Sequence, residues 1–180
     1  MIFKASPLRI NSPVGYPNLG LSLCPGKIDP GAMTGPTRRD LGADLAVVKN
    51  WGATLAVSLL EDFELELLGV KDLGKAITES GMEWRHWPVI DGSALVLREN
   101  HKNNQWDEQI WEFAARLDNG EKIFIHCRGG LGRTGTLAAR ILIEMGESPQ
   151  DAINLVRQAR PGAIETPEQE KYLLDREWRL

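Results

Sequence analysis

The chain has 180 residues, which is enough for one domain with a full hydrophobic core. Its composition is ordinary for a globular protein, and its net charge of −4 argues against a general nucleic-acid binder or a protein that binds anionic membranes. Only two cysteines are present, Cys24 and Cys127, so the sequence has no disulfide framework and fits a reducing, cytoplasmic compartment.

The sequence shows no clear targeting segment and no clear set of metal ligands. No apolar run approaches the ~18 residues of a membrane-spanning helix, and residues 1–20 contain no apolar core long enough for a signal peptide. The three histidines lack helical or Cys-x-x-Cys spacing, so we predict neither a metal nor a cofactor. We expect a cytoplasmic monomer with no membrane or nucleic-acid partner.

The first third of the chain predicts an arm, two strands and a helix. Residues 1–18 are rich in Pro, Ser and Asn, and we predict an irregular N-terminal arm. Leu19 to Leu23 is a predicted strand, and Ile28 to Thr37 is a predicted loop of Pro, Gly and Thr. Asp40 to Trp51 predicts a helix, and the continuous apolar run Ala53 to Leu60 predicts a central strand that is covered on both faces.

The middle of the chain continues this alternation of strands and helices. Glu61 to Glu66 is acidic and begins a connection or a helix, and Leu73 to Ser80 predicts a short helix. Glu83 to Trp87 predicts a strand. The apolar residues of Asn103 to Leu117 recur at helical spacing, and Lys122 to His126 is a β-branched and aromatic run typical of a buried strand.

Three helices are predicted after that last strand. Arg133 to Met145 is apolar, Ser148-Pro149 places proline at the first helical position of the next helix, and Thr166 with Gln169 forms a capping box for the last one. Strands that alternate with helices predict an α/β fold: a single domain over residues 19–180 with a central, largely parallel sheet flanked by helices.

The residues that carry chemistry are concentrated in Cys127 to Arg133. A strand, a tight glycine-bearing loop and a helix aim successive backbone N–H groups into one concavity, which binds an anion the size of phosphate. The positive potential of such a nest favours the thiolate of Cys127. Arg133 follows six positions later, and its planar fork suits two phosphate oxygens.

The neighbouring residues fit the same chemistry. Thr134 can offer a hydroxyl to the sulfur as it leaves, and His126 is expected to orient the loop through hydrogen bonds rather than act as the base. The glycines allow backbone angles and close approach that a side chain would block. The predicted phosphate-binding residues are Arg128, Gly129, Gly130, Leu131, Gly132 and Arg133.

The run HCRGGLGRTG resembles the HCxxGxxR(S/T) signature of cysteine-dependent protein phosphatases. One alternative is a buried structural cysteine beside a glycine turn. Another is a rhodanese-like sulfur-transfer loop, which has Cys and Arg at similar spacing but lacks the preceding His and the Gly-x-x-Arg-Thr-Gly ending.

A candidate general acid lies in the segment Trp87 to Gly92, which we call the acid loop. This predicted loop follows a strand, begins with proline, ends with glycine and carries one carboxylate, Asp91. Asp91 precedes Cys127 by 36 residues, which is enough chain for a helix and a strand to return beside it. On the loop alone, Asp-Gly is also typical of a simple turn.

The resemblance extends over most of the chain. Cys24-Pro25-Gly26, Arg38-Arg39, the acid loop and the signature together are similar to the dual-specificity phosphatases that include kinase-associated phosphatase and its prokaryotic relatives. It implies a signature loop at the carboxyl end of a central strand. It also implies Cys127 as nucleophile, Arg133 as phosphate ligand and Asp91 as general acid. One departure is Glu165, where related enzymes have a glutamine that places water.

Two other features have competing interpretations. Arg38-Arg39 fits a second phosphate or an acidic substrate, although a pair of charges is usually a solvated surface. Cys24 fits a reversible disulfide with Cys127, although a lone cysteine before Pro-Gly is more often a small buried hydrophobe.

Three functions remain open at this point. The first is a phosphoprotein phosphatase for phosphotyrosine and phosphoserine or phosphothreonine. The second is an inositol-phosphate or lipid phosphatase, although Leu131 stands where such sites usually add a basic residue and only Arg128 is extra. The third is an inactive module that captures a phosphorylated partner, which the presence of Cys127, Arg133 and Asp91 disfavours.

Overall fold

The computed structural model describes residues 6–33, 35–95 and 104–175, apart from the side chains of residues 104 and 105. The strands are β1 (Leu19–Ser22), β2 (Ile28–Asp29), β3 (Thr37–Arg38), β4 (Ala53–Ser58), β5 (Glu83–His86) and β6 (Lys122–His126). The helices are α1 (Leu41–Trp51), α2 (Asp62–Leu67), α3 (Leu73–Glu79), α4 (Asn104–Asp118), α5 (Gly132–Glu144), α6 (Pro149–Ala159) and α7 (Pro167–Leu174).

Four strands form the central sheet in the order β1-β6-β4-β5, and all three pairings are parallel. The predicted α/β class with a parallel sheet is therefore confirmed. The strands end in register, because His126 pairs with both Ser22 and Ser58, and Ser58 pairs with His86. The four carboxyl ends thus lie in one row, which is where open α/β sheets bind ligands.

Both faces of the sheet are covered by helices. Leu55, Val57 and Ile125 point into one buried cluster with residues of α4, α5 and α6. Ala56 and Phe124, the alternate residues, point into a second cluster with residues of α1 and α3. Successive side chains on a strand point to opposite faces, so a strand covered on both sides is apolar throughout.

The segment from Ile28 to Thr37 contains more structure than the sequence predicted. We expected a loop, but Ile28 pairs with Arg38 and Asp29 with Thr37 in a two-stranded antiparallel sheet. Each strand has only two residues. A strand this short has no room for an alternating apolar pattern, so the sequence carried no signal for it.

The N-terminal arm packs on β1. Asn11 and Leu21 exchange backbone hydrogen bonds, at 2.9 Å from the Asn11 N–H and 2.8 Å from the Leu21 N–H. The Ser22 hydroxyl donates to the carbonyl of Arg9 at 2.7 Å, and Leu8 is buried. This part of the arm is therefore attached to the domain. Residues 1–5 of the predicted arm, and Asn103 of the predicted fourth helix, lie outside the described residues.

A buried chain of hydrogen bonds crosses three strands at the carboxyl edge of the sheet. The Trp84 indole N–H donates to Ser58 Oγ at 2.8 Å, Ser58 Oγ lies 2.6 Å from His126 Nε2, and His126 Nδ1 lies 3.3 Å from the carbonyl oxygen of Cys127. A carbonyl only accepts, so Nδ1 carries the proton. In the neutral ring Nε2 then accepts from the Ser58 hydroxyl.

We predict that His126 makes stability depend on pH. Burial lowers the pKa of His126 from 6.5 to about 4, the hydrogen bond to the Cys127 carbonyl raises it, and the charge of Arg133 lowers it. As pH falls from 6.5 toward 4, the unfolded chain binds a proton that the folded chain does not. The free energy of unfolding therefore decreases by up to about 3 kcal/mol from this residue.

The test compares wild type with His126→Asn in urea unfolding across that pH window. We expect the difference in the free energy of unfolding between the two proteins to shrink as pH falls. A difference that stays constant between neutral pH and pH 4 would show that His126 is not held neutral by burial.

Gly74 of α3 gives a packing prediction next to the same chain of hydrogen bonds. A Cβ atom at Gly74 would lie 2.2 Å from the indole ring of Trp84. Gly74→Ala should therefore lower the free energy of unfolding by about 1–3 kcal/mol, despite the better helix propensity of alanine. The matched control is Gly42→Ala in α1, where the nearest atom, Asp40 Oδ1, lies 3.4 Å away and no loss is expected. Equal urea midpoints for the two variants would contradict the packing argument.

Candidate active site

The signature loop lies at the carboxyl end of β6, a central strand, and leads into α5. Cys127 follows the last residue of the strand and is 3% exposed. The backbone N–H of Gly130 donates to Cys127 Sγ at 3.2 Å. The thiol therefore sits at the base of the loop, as the sequence predicted, with a backbone donor directed at the sulfur.

The carbonyl groups of the loop all have partners outside it. The Arg128 carbonyl accepts from the Cys24 N–H at 3.3 Å, and the Leu131 carbonyl accepts from the Ile164 N–H at 3.2 Å. The two carbonyls between them, of residues 129 and 130, accept from the guanidinium of Arg160 at 2.7 and 2.5 Å. With the carbonyls held in this way, the N–H groups are left to face the concavity.

One glycine of the loop is required by geometry and another is not. Gly130 has φ +69°, and a Cβ atom there would lie 2.1 Å from the Ser22 carbonyl oxygen. At Gly129 a Cβ atom would meet nothing within 4 Å, so packing against the described residues does not require glycine there. Gly129 instead supplies a carbonyl to Arg160.

Arg133 is 1% exposed and extends into the interior beside the loop. Its two terminal nitrogens bind the carboxylate of Glu64 at 2.7 and 2.8 Å, and Nη1 also donates to the Val89 carbonyl at 3.0 Å. Burial lowers the pKa of Arg133, but its hydrogen bonds to Glu64 and nearby negative charges raise it overall. The guanidinium is therefore a fixed, permanently charged group.

Glu64 was not predicted as a site residue. The sequence placed it in an acidic run at the start of a connection, and this run forms α2 after β4. Glu64 is 4% exposed. The sequence feature that could have indicated this burial is its position next to the apolar Leu65, in a segment that follows a central strand. A carboxylate buried at that edge needs a cation, and Arg133 is that cation.

The second edge of the Arg133 guanidinium carries an unused hydrogen-bond donor. Its Nε atom is buried and has no hydrogen-bond partner in the part of the chain that the structure describes. The adjacent Nη2 lies 3.3 Å from Asp91 Oδ1. One edge of the fork thus binds Glu64 and fixes the side chain, and the other edge has the geometry for two oxygens of an anion.

The acid loop reaches the site, as the sequence predicted. The Asp91 side chain is 70% exposed and touches Arg133 at the mouth of the concavity. The next two residues are held by α7: the Thr166 hydroxyl donates to the Gly92 carbonyl at 2.9 Å, and the Gln169 amide donates to the Ser93 carbonyl at 3.3 Å. Asp91 is therefore brought beside Arg133 by a loop with defined anchors.

Two other carboxylates, of Asp62 and Glu165, differ in their distance from the signature loop. Asp62, at the start of α2, is 91% exposed, and its described contact is with His86 at 3.9 Å. Glu165 lies at the site, since a Cβ atom on Gly132 would be 2.5 Å from Glu165 Oε2. The N-terminal turn of α5 is a favourable place for a carboxylate.

Thr134 is fully buried in the first turn of α5. Its hydroxyl has no hydrogen-bond partner within residues 6–33, 35–95 and 104–175. His126 is held between Ser58 and the Cys127 carbonyl and is neutral above pH of about 4. His126 therefore orients the start of the loop.

The guanidinium of Arg128 turns away from the loop. It binds Asp29 through two bonds of 2.9 and 2.8 Å, and Lys27 approaches the same carboxylate at 3.5 Å. The hydrogen bonds from Arg128 lower the pKa of Asp29 against the effect of burial. The predicted contribution of Arg128 to anion binding is therefore limited to its backbone.

Arg39 and Cys24 have structural partners. Arg39 binds Asp44 through two bonds of 2.7 and 2.8 Å, and its neighbour Arg38 is exposed. Cys24 and Cys127 are both free thiols, and burial raises the pKa of Cys24. This placement agrees with Cys24 as a small buried hydrophobe.

Within the described residues, no group of three or more His, Cys, Asp or Glu side chains is arranged to hold a metal ion. None of the helices described above is both long enough and apolar enough to cross a membrane.

Three comparisons place this site in a known context. Cyclin-dependent kinase inhibitor 3 of Rattus norvegicus is 33% identical over 147 residues, which cover 80% of this chain and 66% of that protein. The crystal structure of kinase associated phosphatase, with its catalytic cysteine changed to serine, superposes with a TM-score of 0.78 at 28% identity, covering 94% of both chains. The active form of Tk-PTP gives a TM-score of 0.64 at 30% identity, over 91% of this chain and 93% of that one.

The family model that matches is the Swiss Army Knife protein, DSP-PTPase phosphatase domain, and it covers residues 27–173. This segment includes the acid loop, the signature loop and the α7 cap. The family predicted from the signature is therefore confirmed: the chain belongs to the DSP-PTPase phosphatase domain family.

Proposed function

We propose that this protein hydrolyses phosphate monoesters on phosphorylated proteins through a cysteinyl-phosphate intermediate on Cys127. The observation that carries the proposal is the convergence of three groups. Cys127 Sγ lies at the base of an N–H loop, the Nε atom of Arg133 is a donor without a partner among the described residues, and Asp91 contacts the adjacent Nη2 at 3.3 Å.

In the first step the Cys127 thiolate attacks phosphorus. The S–P bond forms, the bond from phosphorus to the ester oxygen breaks, and the departing oxygen takes a proton from Asp91. The loop N–H groups and the Nε–Nη2 edge of Arg133 hold the phosphoryl oxygens, where negative charge is spread in the transition state. Glu64 keeps that edge in position.

In the second step water attacks phosphorus, the S–P bond breaks and inorganic phosphate is released. The Asp91 carboxylate, which lost its proton in the first step, accepts a proton from the water. The unpartnered hydroxyl of Thr134 donates a hydrogen bond to the departing sulfur. No group outside this set is needed for the proton balance.

Phosphorylated protein is the substrate class we propose. One relative is cyclin-dependent kinase inhibitor 3, and one of the superposed structures is that of kinase associated phosphatase. The guanidinium of the extra basic residue, Arg128, is bound to Asp29, which disfavours its use as a ligand for a polyphosphorylated inositol headgroup. We further propose a cytoplasmic location, because both thiols are free and catalysis needs Cys127 reduced.

Cys127→Ser tests the nucleophile. The variant should lose turnover of an aryl phosphate while it still binds tungstate, because serine keeps the loop but has no thiolate. Turnover is measured with and without a chelator, and binding by calorimetry. Full turnover in the variant would contradict the mechanism, and so would loss of wild-type activity on chelation that a divalent ion restores. A panel of phosphopeptides and inositol phosphates then tests the substrate class.

Asp91→Asn tests the general acid through its dependence on the leaving group. A tyrosyl or threonyl oxygen needs a proton to depart, so kcat for such a phosphopeptide should fall by roughly 10²–10⁴-fold. The loss should be much smaller for an aryl phosphate whose phenol is strongly acidic. Asp62→Asn is the matched control, since Asp62 points to solvent beside His86. Equal losses for both kinds of substrate would show that Asp91 is only a turn residue.

A further inference from the structure

Arg160, just after α6, uses two guanidinium nitrogens at the signature loop and the third at the N-terminal arm. Nε donates to the Gly130 carbonyl at 2.5 Å and Nη2 donates to the Gly129 carbonyl at 2.7 Å. Nη1 donates to Asn11 Oδ1 at 2.9 Å. Asn11 belongs to the N-terminal arm, which lies outside the segment 27–173 that the family model matches.

We infer that Arg160 is a positioning residue that aligns the anion-binding N–H groups of the signature loop, and that Asn11 of the arm holds Arg160 in place. This role concerns the same site as the proposed function and rests on it for its catalytic meaning. The geometric part stands on the contacts alone.

The alignment follows from the planarity of the peptide bond. In a trans peptide the C=O and the following N–H point in opposite directions. When Arg160 holds the Gly129 carbonyl, the Gly130 N–H is turned to the other side, and that N–H donates to Cys127 Sγ at 3.2 Å. The Gly130 carbonyl fixes the N–H of Leu131 in the same way.

Arg160 also differs from Arg128 and Arg133, the two arginines of the signature loop, because each of those binds a carboxylate. Arg133 binds the carboxylate of Glu64, and Arg128 binds that of Asp29. The hydrogen-bond partners of Arg160 among the described residues are two backbone carbonyls and one side-chain amide. Its positive charge is thus not cancelled by a bonded carboxylate and adds to the potential at Cys127.

The arm supplies a fixed acceptor for this arginine. Both backbone groups of Asn11 are bonded to Leu21, the residue before the end of β1. The backbone that carries the Asn11 side chain is therefore fixed to the sheet. Arg160 is in turn held between the sheet edge and the signature loop. Without Asn11, one end of the guanidinium would lose its only described acceptor.

Arg157, one turn earlier on α6, provides a matched control. It donates to the carbonyls of Ala163 and Ile164 at 3.1 Å each, and its Nη2 binds Glu170 at 3.0 Å. Arg157 thus makes the same number of carbonyl contacts near the same helix end, but to a different loop. Comparing the two arginines separates alignment of the signature loop from general support of this region.

The experiment compares wild type with Arg160→Met, Asn11→Ala and Arg157→Met. Alkylation of Cys127 by iodoacetamide is followed against pH by mass spectrometry of the Cys127 peptide, and tungstate binding is measured by calorimetry. We expect Arg160→Met to move the midpoint of alkylation to higher pH, to weaken tungstate binding and to lower kcat/KM by about 10²-fold, the usual effect of a misplaced catalytic geometry. Asn11→Ala should shift all three in the same direction by less. Arg157→Met loosens the segment whose Ile164 N–H binds the Leu131 carbonyl, so its shifts should be smaller than those of Arg160→Met.

Several results would overturn the inference. One is an Arg160→Met protein, folded by circular dichroism, that alkylates and binds tungstate like wild type. Another is an equal effect of Arg157→Met, which would show general loosening. If Arg160→Met does not fold, unchanged midpoints and tungstate binding in Asn11→Ala would still overturn the role of the arm. If wild type hydrolyses no ester, the proposed function fails, but alkylation and tungstate binding still decide the role of Arg160.

Discussion

The buried ion pair of Arg133 with Glu64 is the interaction on which the site depends. A guanidinium at 1% exposure is unfavourable in an apolar interior unless it is paired and hydrogen-bonded. Glu64 satisfies one edge of it, and the carbonyls of Leu59 and Val89 add two further contacts at 3.4 and 3.0 Å. The pair connects α5, α2 and the ends of β4 and β5, so a single side chain fixes the relative positions of three loops.

The sequence was sufficient to bring Cys127 and Arg133 together in one loop and insufficient to identify the residues that hold them. Cys127 and Arg133 are close in sequence, and the strand, loop and helix around them are local patterns. Glu64 contacts Arg133 across 69 residues of the sequence, and Arg160 contacts Gly130 across 30. No local pattern encodes contacts between residues this far apart. The parallel sheet was predictable because its strands are apolar on both faces and separated by helices.

Charges near the site also required the structure. From the sequence, Arg128 is a basic residue next to the nucleophile and appears available to a substrate. In the structure it is bound to Asp29, whose strand β2 was predicted as a loop. The short hairpin that carries Asp29 therefore decides which cations of the signature remain available, and only tertiary structure reveals this.

The capping box of α7 has a consequence for the motion of the acid loop. Thr166 Oγ1 accepts from the Gln169 N–H and donates to the Gly92 carbonyl, while Gln169 bonds Glu165 N–H through Oε1 and the Ser93 carbonyl through Nε2. Lifting the loop away from Arg133 thus removes partners from both capping side chains. Loop opening and fraying of the first turn of α7 are therefore thermodynamically linked, because each removes hydrogen bonds that the other needs.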